Sequence, residues 1–210
     1  TGAGISSGTL VNALLFRMGP LETGDPGRPG IVHRLDKNTS GVMLVAKNVS
    51  AHRALAQQFK NREVKKEYLA MVYGIPSPPT GTIDVPIGRD PNDRKKISPR
   101  ARHKRSAISH YTLKDSYGAV ALLSVRIDTG RTHQIRVHLA HKGHAIVGDN
   151  MYGPGRARNL PATVSQAVIR LRRPFLHSHR LEFHHPRTGE LLIFVSPLPK
   201  ELQQFVCDVQ

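Results

Sequence analysis

Residues 107–130, AISHYTLKDSYGAVALLSVRIDTG, alternate apolar and polar side chains on both sides of Tyr117-Gly118. A period of two broken by a turn pair marks an antiparallel hairpin, because successive strand side chains face opposite sides of a sheet. Further strand-like runs occur at 31–36 (IVHRLD), 41–47 (GVMLVAK), 65–74 (KKEYLAMVYG), 82–90 (TIDVPIGRD), 144–149 (HAIVGD), 175–186 (FLHSHRLEFHHP) and 191–199 (LLIFVSPLP). Pro86 cannot donate to a ladder, which puts its run at a sheet edge. About four helices are expected: 8–18 capped by Ser7 or Thr9, 50–64 capped by Ser50, 131–143 ending at Gly143, and a short C-terminal helix entered at Pro199. Segment 21–30 is a turn-rich loop. Helices and strands do not alternate regularly. The expected class is therefore α+β, with a mixed, largely antiparallel central sheet flanked by helices and loops, rather than a doubly wound sheet. No repeat or linker divides the 210 residues, so one domain over 1–210 is expected.

Charge narrows the partners. Lys and Arg number 31 against 15 Asp and Glu, a formal charge of +16. Such a surface suits a polyanion, and nucleic acid first, because each neutralised phosphate releases condensed counter-ions. An anionic membrane surface ranks second; no apolar run is long enough to span a bilayer. The densest basic stretch is 89–105, RDPNDRKKISPRARHKR, a polar loop that is either a solvated charged segment or a functional one. The single cysteine, Cys207, forms no internal disulfide and no thiolate metal site, which fits a reducing, cytoplasmic compartment. The twelve histidines include no HExxH and no zinc-type spacing, so no metal is expected. The chain opens on TGAGISSG, without an initiator Met and without the charged and apolar regions of a secretory signal.

Three places can carry chemistry. Asp36 sits in IVHRLDKNTSG among His33, Arg34 and Lys37. It could cap a turn or pair with a neighbouring Arg; alternatively, a carboxylate kept at the centre of a basic surface in an acid-poor chain can act as nucleophile or general base. In GRTHQIRVHL, Arg131 can meet a phosphate, and Arg136 can reach inward from a helix to hold and aim Asp36. Tyr68 in KKEYLAMVYG is either a half-buried strand residue or a ring on which an unstacked base lies.

HRLDKNTSG, KKEYLAMVYG and GRTHQIRVHLAHKGHAIVGDNMYG, in that order and followed by FLHSHRLEFHHPRTGELLIFVSPLP, resemble the RluA-type pseudouridine synthases, in particular their large-subunit ribosomal RNA branch. The resemblance covers nearly the whole chain. It implies a pseudouridine synthase fold with a central basic RNA-binding cleft, and an isomerase that converts uridine to pseudouridine after flipping the base. Asp36 matches the family's catalytic aspartate. Tyr68 matches the tyrosine on which the flipped base packs, Arg136 the ionic partner of the aspartate, and Ile135 an apolar residue near the base. Arg34 is implied to enter the RNA stack, with His33, Lys37 and Arg131 on the RNA-facing side. No cofactor and no metal are implied. The implied partner is ribosomal RNA, with transfer RNA as the other candidate, and the protein is expected to act as a monomer. An N-terminal RNA-binding module that many members carry is not visible in this sequence. The competing expectation is a catalytically inactive RNA-binding or ribosome-assembly protein with the same fold. A hydrolase using Asp36 with a histidine is a third.

Overall fold

The computed structural model describes residues 7–19, 23, 28–155 and 160–210. Most of segment 21–30, read above as a loop, lies outside the described residues. The chain falls into two compact units: residues 1–34, 43–64 and 182–193 in the first, and 35–42, 65–181 and 194–210 in the second.

The first unit holds two helices. Helix α1 (Leu10–Met18) is capped by Thr9, whose hydroxyl accepts from Asn12 N–H while the Asn12 side chain accepts from Thr9 N–H. Helix α2 (Val49–Lys60) is capped two residues ahead of the expected Ser50, by Asn48, whose Oδ1 accepts the Ala51 N–H. It also stops short of residue 64: Arg62 adopts φ +62°, and Glu63 N–H turns back to the Gln58 carbonyl. The Gln58 side chain in turn donates to the His184 carbonyl (2.8 Å) and accepts from its N–H (2.9 Å). The two strands expected at 31–36 and 41–47 do not form. Among the described residues, a single Ile31–Val45 bridge and the Leu44 N–H bond to the His33 ring join these segments.

The second unit is built on the sheet. Its strands are β1 (Ser40–Gly41), β2 (Lys65–Tyr73), β3 (Thr80–Asp84), β6 (Ile108–Tyr117), β7 (Val120–Ile127), β8 (Leu176–His184) and β9 (Leu191–Val195); β4 (Gly88–Arg89) and β5 (Ile97–Ser98) pair separately. The sheet order is β1-β8-β2-β7-β6-β3, with β9 also on β8; the last residues of β8 and the first of β9 belong to the first unit. The hairpin expected at 107–130 is β6–β7, closed at Tyr117↔Val120, with Gly118 at φ +63° in its turn. A register shift between Leu113 and Asp115 marks a bulge, beyond which β6 loses its alternation and becomes exposed. β3 forms the far edge, as expected, but the run 82–90 breaks around Pro86, and its Gly88-Arg89 end pairs separately as β4. The β1–β8 pair is parallel, an exception to the antiparallel pattern. Segment 144–149 contributes one bridge, Ile146 to Val72, rather than a strand.

Helix α3 (Gln134–His141) follows β7, and α5 (Lys200–Val209) closes the chain, entered at Pro199 as expected. A fifth helix, α4 (Ala162–Leu171), was not anticipated, although Val164, Ala167 and Leu171 form a buried stripe at helical spacing. With α5 it covers a core of Met71, Tyr73, Val147, Phe175, Leu202 and Phe205. A second core, containing Tyr68, Val72, Leu123, Val125, Ile135, Leu139 and Ile146, packs α3 against the sheet. No described helix is long and apolar enough to cross a membrane.

Two imidazoles are built into this interior as neutral rings. His138 pairs Nε2 with the Val85 carbonyl (3.0 Å) and Nδ1 with the Ser109 hydroxyl (2.9 Å). His177 pairs Nε2 with the Ser196 carbonyl (3.0 Å) and Nδ1 with the Ser40 hydroxyl (2.9 Å). In each, Nε2–H donates to a carbonyl and Nδ1 is left to accept from the hydroxyl. Burial lowers both pKa values below the usual 6.5. Between 6.5 and those lowered values, the unfolded chain binds protons that the folded chain does not, so stability falls as pH falls. The urea midpoint followed by circular dichroism should therefore be lower at about pH 5.5 than at about pH 7.5. His138→Gln should shrink that difference while lowering both midpoints.

Candidate active site

Asp36 is presented by a short turn whose downstream end is pinned. Thr39 N–H donates to the Asp36 carbonyl (3.0 Å), and Asn38 takes up the left-handed conformation (φ +69°) that Asn tolerates better than most side chains. Gly41, at φ +114°, lies so close to the Ser178 backbone that a Cβ would overlap its carbonyl. This close approach explains why the polar turn is followed by glycine, and why Ser40-Gly41 pairs with β8. Val42 N–H continues the attachment to the Ser178 carbonyl (2.9 Å). Ser40 bonds His177 and accepts from Arg173 Nη2 (2.9 Å), while Arg173 Nη1 pairs with Glu201 (2.5 Å). The Asp36 side chain is left 16% exposed: neither sealed in nor free.

The partner of this carboxylate comes from α3, in which residues 134–139 are all buried. The helix begins at His133, a left-handed residue (φ +54°) whose side chain makes no cap bond. Gln134, the first helical residue, instead ties the helix start to β6 and to the loop before it. Its Oε1 accepts from the Thr129 hydroxyl (2.7 Å) and Arg131 N–H (3.1 Å), and its Nε2 donates to the Ile108 carbonyl (2.9 Å) and the Ser109 hydroxyl (3.0 Å).

One turn into the helix, Arg136 makes its strong bonds to Asp149 rather than to Asp36. Nε and Nη2 donate to the two Asp149 oxygens at 2.7 and 3.0 Å. Only Nη1 faces Asp36 Oδ2, at 3.5 Å, the outer limit of a hydrogen bond. The Asp149 side chain is wholly buried, and its Oδ1 also accepts from Met151 N–H (2.9 Å) and Tyr152 N–H (3.2 Å). Burial acts to lower the Arg136 pKa, but the bonds and charge of Asp149, with a further contribution from Asp36, hold it above the usual arginine value. Tyr152 lies across the guanidinium, its ring centre 5.0 Å from Cζ.

Tyr68 stands on β2, 7% exposed. Burial pushes its pKa up to about 12; the Ser178 hydroxyl opposes that shift, and the Asp36 carboxylate adds to it. Near neutrality the ring is therefore an uncharged phenol, suited to packing and hydrogen bonding rather than to proton abstraction. Ile135 belongs to the same apolar cluster as Tyr68, with Leu35 packed against it.

Of the residues singled out from the sequence, Asp36, Tyr68, Arg136 and Ile135 thus come together within the second unit. Lys37 is exposed beside Asp36, and Arg131 is exposed with Nε donating to the Ser106 carbonyl (3.3 Å). Arg34 and His33 belong to the first unit. Arg34 is exposed; the His33 ring stacks on Phe59 (4.7 Å between centroids), and its Nε2 accepts from Leu44 N–H (2.8 Å). Sequence reasoning missed Asp149, Gln134 and Tyr152. For Asp149 the same signal that picked out Asp36 was present, an acid in an acid-poor chain. Among the described residues, no three His, Cys, Asp or Glu side chains form a group that could hold a metal ion.

Comparison with known proteins places these residues in context. The family described as RNA pseudouridylate synthase matches residues 15–141. An uncharacterized RNA pseudouridine synthase of Chloroflexus aurantiacus is 49% identical over 93% of this chain, which covers 58% of that protein. The ribosomal large subunit pseudouridine synthase D of Xanthomonas campestris is 46% identical over 98% of this chain, covering 61% of that protein. The chain therefore spans about three fifths of the length of these relatives. Among solved structures, human RNA pseudouridylate synthase domain containing 4 superposes with a TM-score of 0.73 at 26% identity, covering 95% of this chain and 81% of that one.

The unequal grip of Arg136 on its two acids has a measurable consequence. Asp149→Ala strips a buried guanidinium of its two short bonds and should cost about 3–5 kcal/mol of stability. Asp36→Ala leaves those bonds intact and should cost less than about 1 kcal/mol. Urea unfolding of the two variants under identical conditions checks the order.

Proposed function

Since the chain belongs to the RNA pseudouridylate synthase family, we propose that it isomerises uridine to pseudouridine in RNA, with Asp36 as the nucleophile or base. The observation that carries the proposal is the partly exposed Asp36 carboxylate facing Arg136 at 3.5 Å, with Tyr68 within reach of its field. A reactive carboxylate must be aimed and yet free to leave its partner. A single long contact to an arginine that is already anchored elsewhere meets both needs.

The reaction breaks the N1–C1′ bond of uridine, rotates the uracil and joins C1′ to C5. The C5 proton is released and N1 takes one up, so the product is an isomer and no redox partner is required. Within a helix the target atom is out of reach, and extruding the nucleotide costs a few kcal/mol. In this reading, Arg34 fills the gap in the stack. Lys37, Arg131 and the cations of 89–105 hold phosphates, and His33 shapes the approach to Arg34. Tyr68 and Ile135 receive the flipped base; stacking on an aromatic ring contributes about 1–3 kcal/mol per base. Arg136 keeps the carboxylate aimed. Neither a cofactor nor a second copy of the chain is invoked. Large-subunit ribosomal RNA is the proposed substrate, supported by the name of the Xanthomonas relative.

Asp36→Asn keeps shape and removes the charge. Its rate of pseudouridine formation on ribosomal RNA transcripts should fall by at least about 10³-fold, with RNA affinity near that of the wild type. Carbodiimide-dependent primer extension and filter binding read the two quantities. Pseudouridine formed by the variant at the wild-type rate would overturn the assignment.

A further inference from the structure

The basic segment 89–105 is not a structureless loop. β4 and β5 pair through Gly88↔Ser98 and Arg89↔Ile97. Gly88 sits so close to the His103 carbonyl and the Ala101 methyl that a Cβ would overlap them. Asp90 Oδ1 accepts from Asn92 N–H (2.9 Å) and Asp93 N–H (3.2 Å), and Arg89 Nη1 donates to the Arg94 carbonyl (3.0 Å). The result is a folded flap. It carries eight Lys and Arg against two Asp, with Arg94, Lys95, Arg100, Arg102, Lys104 and Arg105 exposed. Its opening between Arg89, Asn92, Arg102 and His103 is large enough, at about 370 Å³, for a phosphate group and its water.

The flap is tied to the candidate active site by one side chain. The Tyr152 hydroxyl accepts from Ile97 N–H of β5 (2.9 Å) and is bonded to His133 Nδ1 (2.8 Å) at the start of α3. Its ring meets His133 edge-on, at 5.6 Å and 76°, and lies against the Arg136 guanidinium. Apolar packing follows the same route: Tyr152 and Ile97 both rest on the cluster of Ile87, Ala107 and Val137, which joins the flap to α3. A displacement of β5 therefore has a short mechanical path to the guanidinium that aims Asp36.

We propose that Tyr152 is a positioning residue that couples RNA docking on the 88–105 flap to the alignment of Arg136 and Asp36. The inference rests on the reading above that RNA is the substrate. A phosphate drawn to the flap settles β5, the Ile97–Tyr152 bond holds the ring in place, and the ring limits the swing of Arg136 Nη1. Because, among the described residues, the Asp36 carboxylate is held through that atom alone, at 3.5 Å, its aim is the quantity most exposed to such a constraint.

Tyr152→Phe keeps the ring on Arg136 and deletes both hydroxyl bonds. The single-turnover rate at saturating RNA should fall by about 10- to 100-fold, the scale of small misplacements at a reacting centre. Binding and the unfolding midpoint should change little. The Lys95→Ala/Arg102→Ala pair should lower both affinity and saturated rate in the wild type, but only affinity in the Tyr152→Phe background. Multiplicative effects on the saturated rate, or a Tyr152→Phe variant with the wild-type rate, would overturn the proposal. Hydrogen exchange supplies an arm that does not depend on turnover. RNA should slow exchange both in the flap and in residues 133–141 of the wild type, and only in the flap of Tyr152→Phe. Protection of 133–141 that survives the substitution overturns the coupling, even in a chain that binds RNA without isomerising it.

Discussion

The bidentate bond between Arg136 and Asp149 is the constraint around which the candidate site is organised. Both side chains are withdrawn from water, and a buried guanidinium without a partner is far too costly to persist. Asp149 removes that cost by occupying Nε and Nη2, and its own position is fixed by the Met151 and Tyr152 amides. Of the three N–H bonds that remain, one on Nη1 points at Asp36. An arginine held only by Asp36 would form the short fork itself and lock the carboxylate in an unreactive pair. Because the fork is given to Asp149, Asp36 has a charged neighbour without being captured by it.

How much of this was legible in the sequence depends on the range of the interactions involved. The β6–β7 hairpin and β2 follow from local alternation, and β3 lies at an edge as expected, although Pro86 falls outside it and marks the break between β3 and β4. The strands expected at 31–36 and 41–47 failed because local β-character does not say which partner is available. There the partner of Ser40-Gly41 is β8, more than 130 residues away, in parallel register. Helix α4 was overlooked beside the glycine- and proline-rich stretch before it, although its apolar spacing was present.

The site shows the same division. Asp36 and Arg136 stood out through charge pattern and motif. Asp149 did not, because an Asp after Gly148 reads as an ordinary turn residue until its oxygens are seen to meet α3. Gln134 carries no signal at all in one dimension. It becomes informative only when its amide is found completing four bonds at the start of a helix whose cap residue provides none.

The charge arithmetic of the centre runs against that of the chain. Asp36, Asp149 and Arg136 together carry a net negative charge within a protein whose formal charge is +16. A polyanion drawn to such a surface experiences two opposing fields. The exposed cations of the flap, with Lys37 and Arg131, attract phosphates by counter-ion release. The carboxylates at the centre repel a phosphate but do not oppose an uncharged uracil. Under the proposed function, such a field would sort an RNA strand into its parts, with the backbone held at the basic rim and only a base admitted beside Asp36. The two neutral phenols, Tyr68 and Tyr152, suit this arrangement. Burial holds each pKa at about 12, so neither adds a second negative charge to a centre that already carries one.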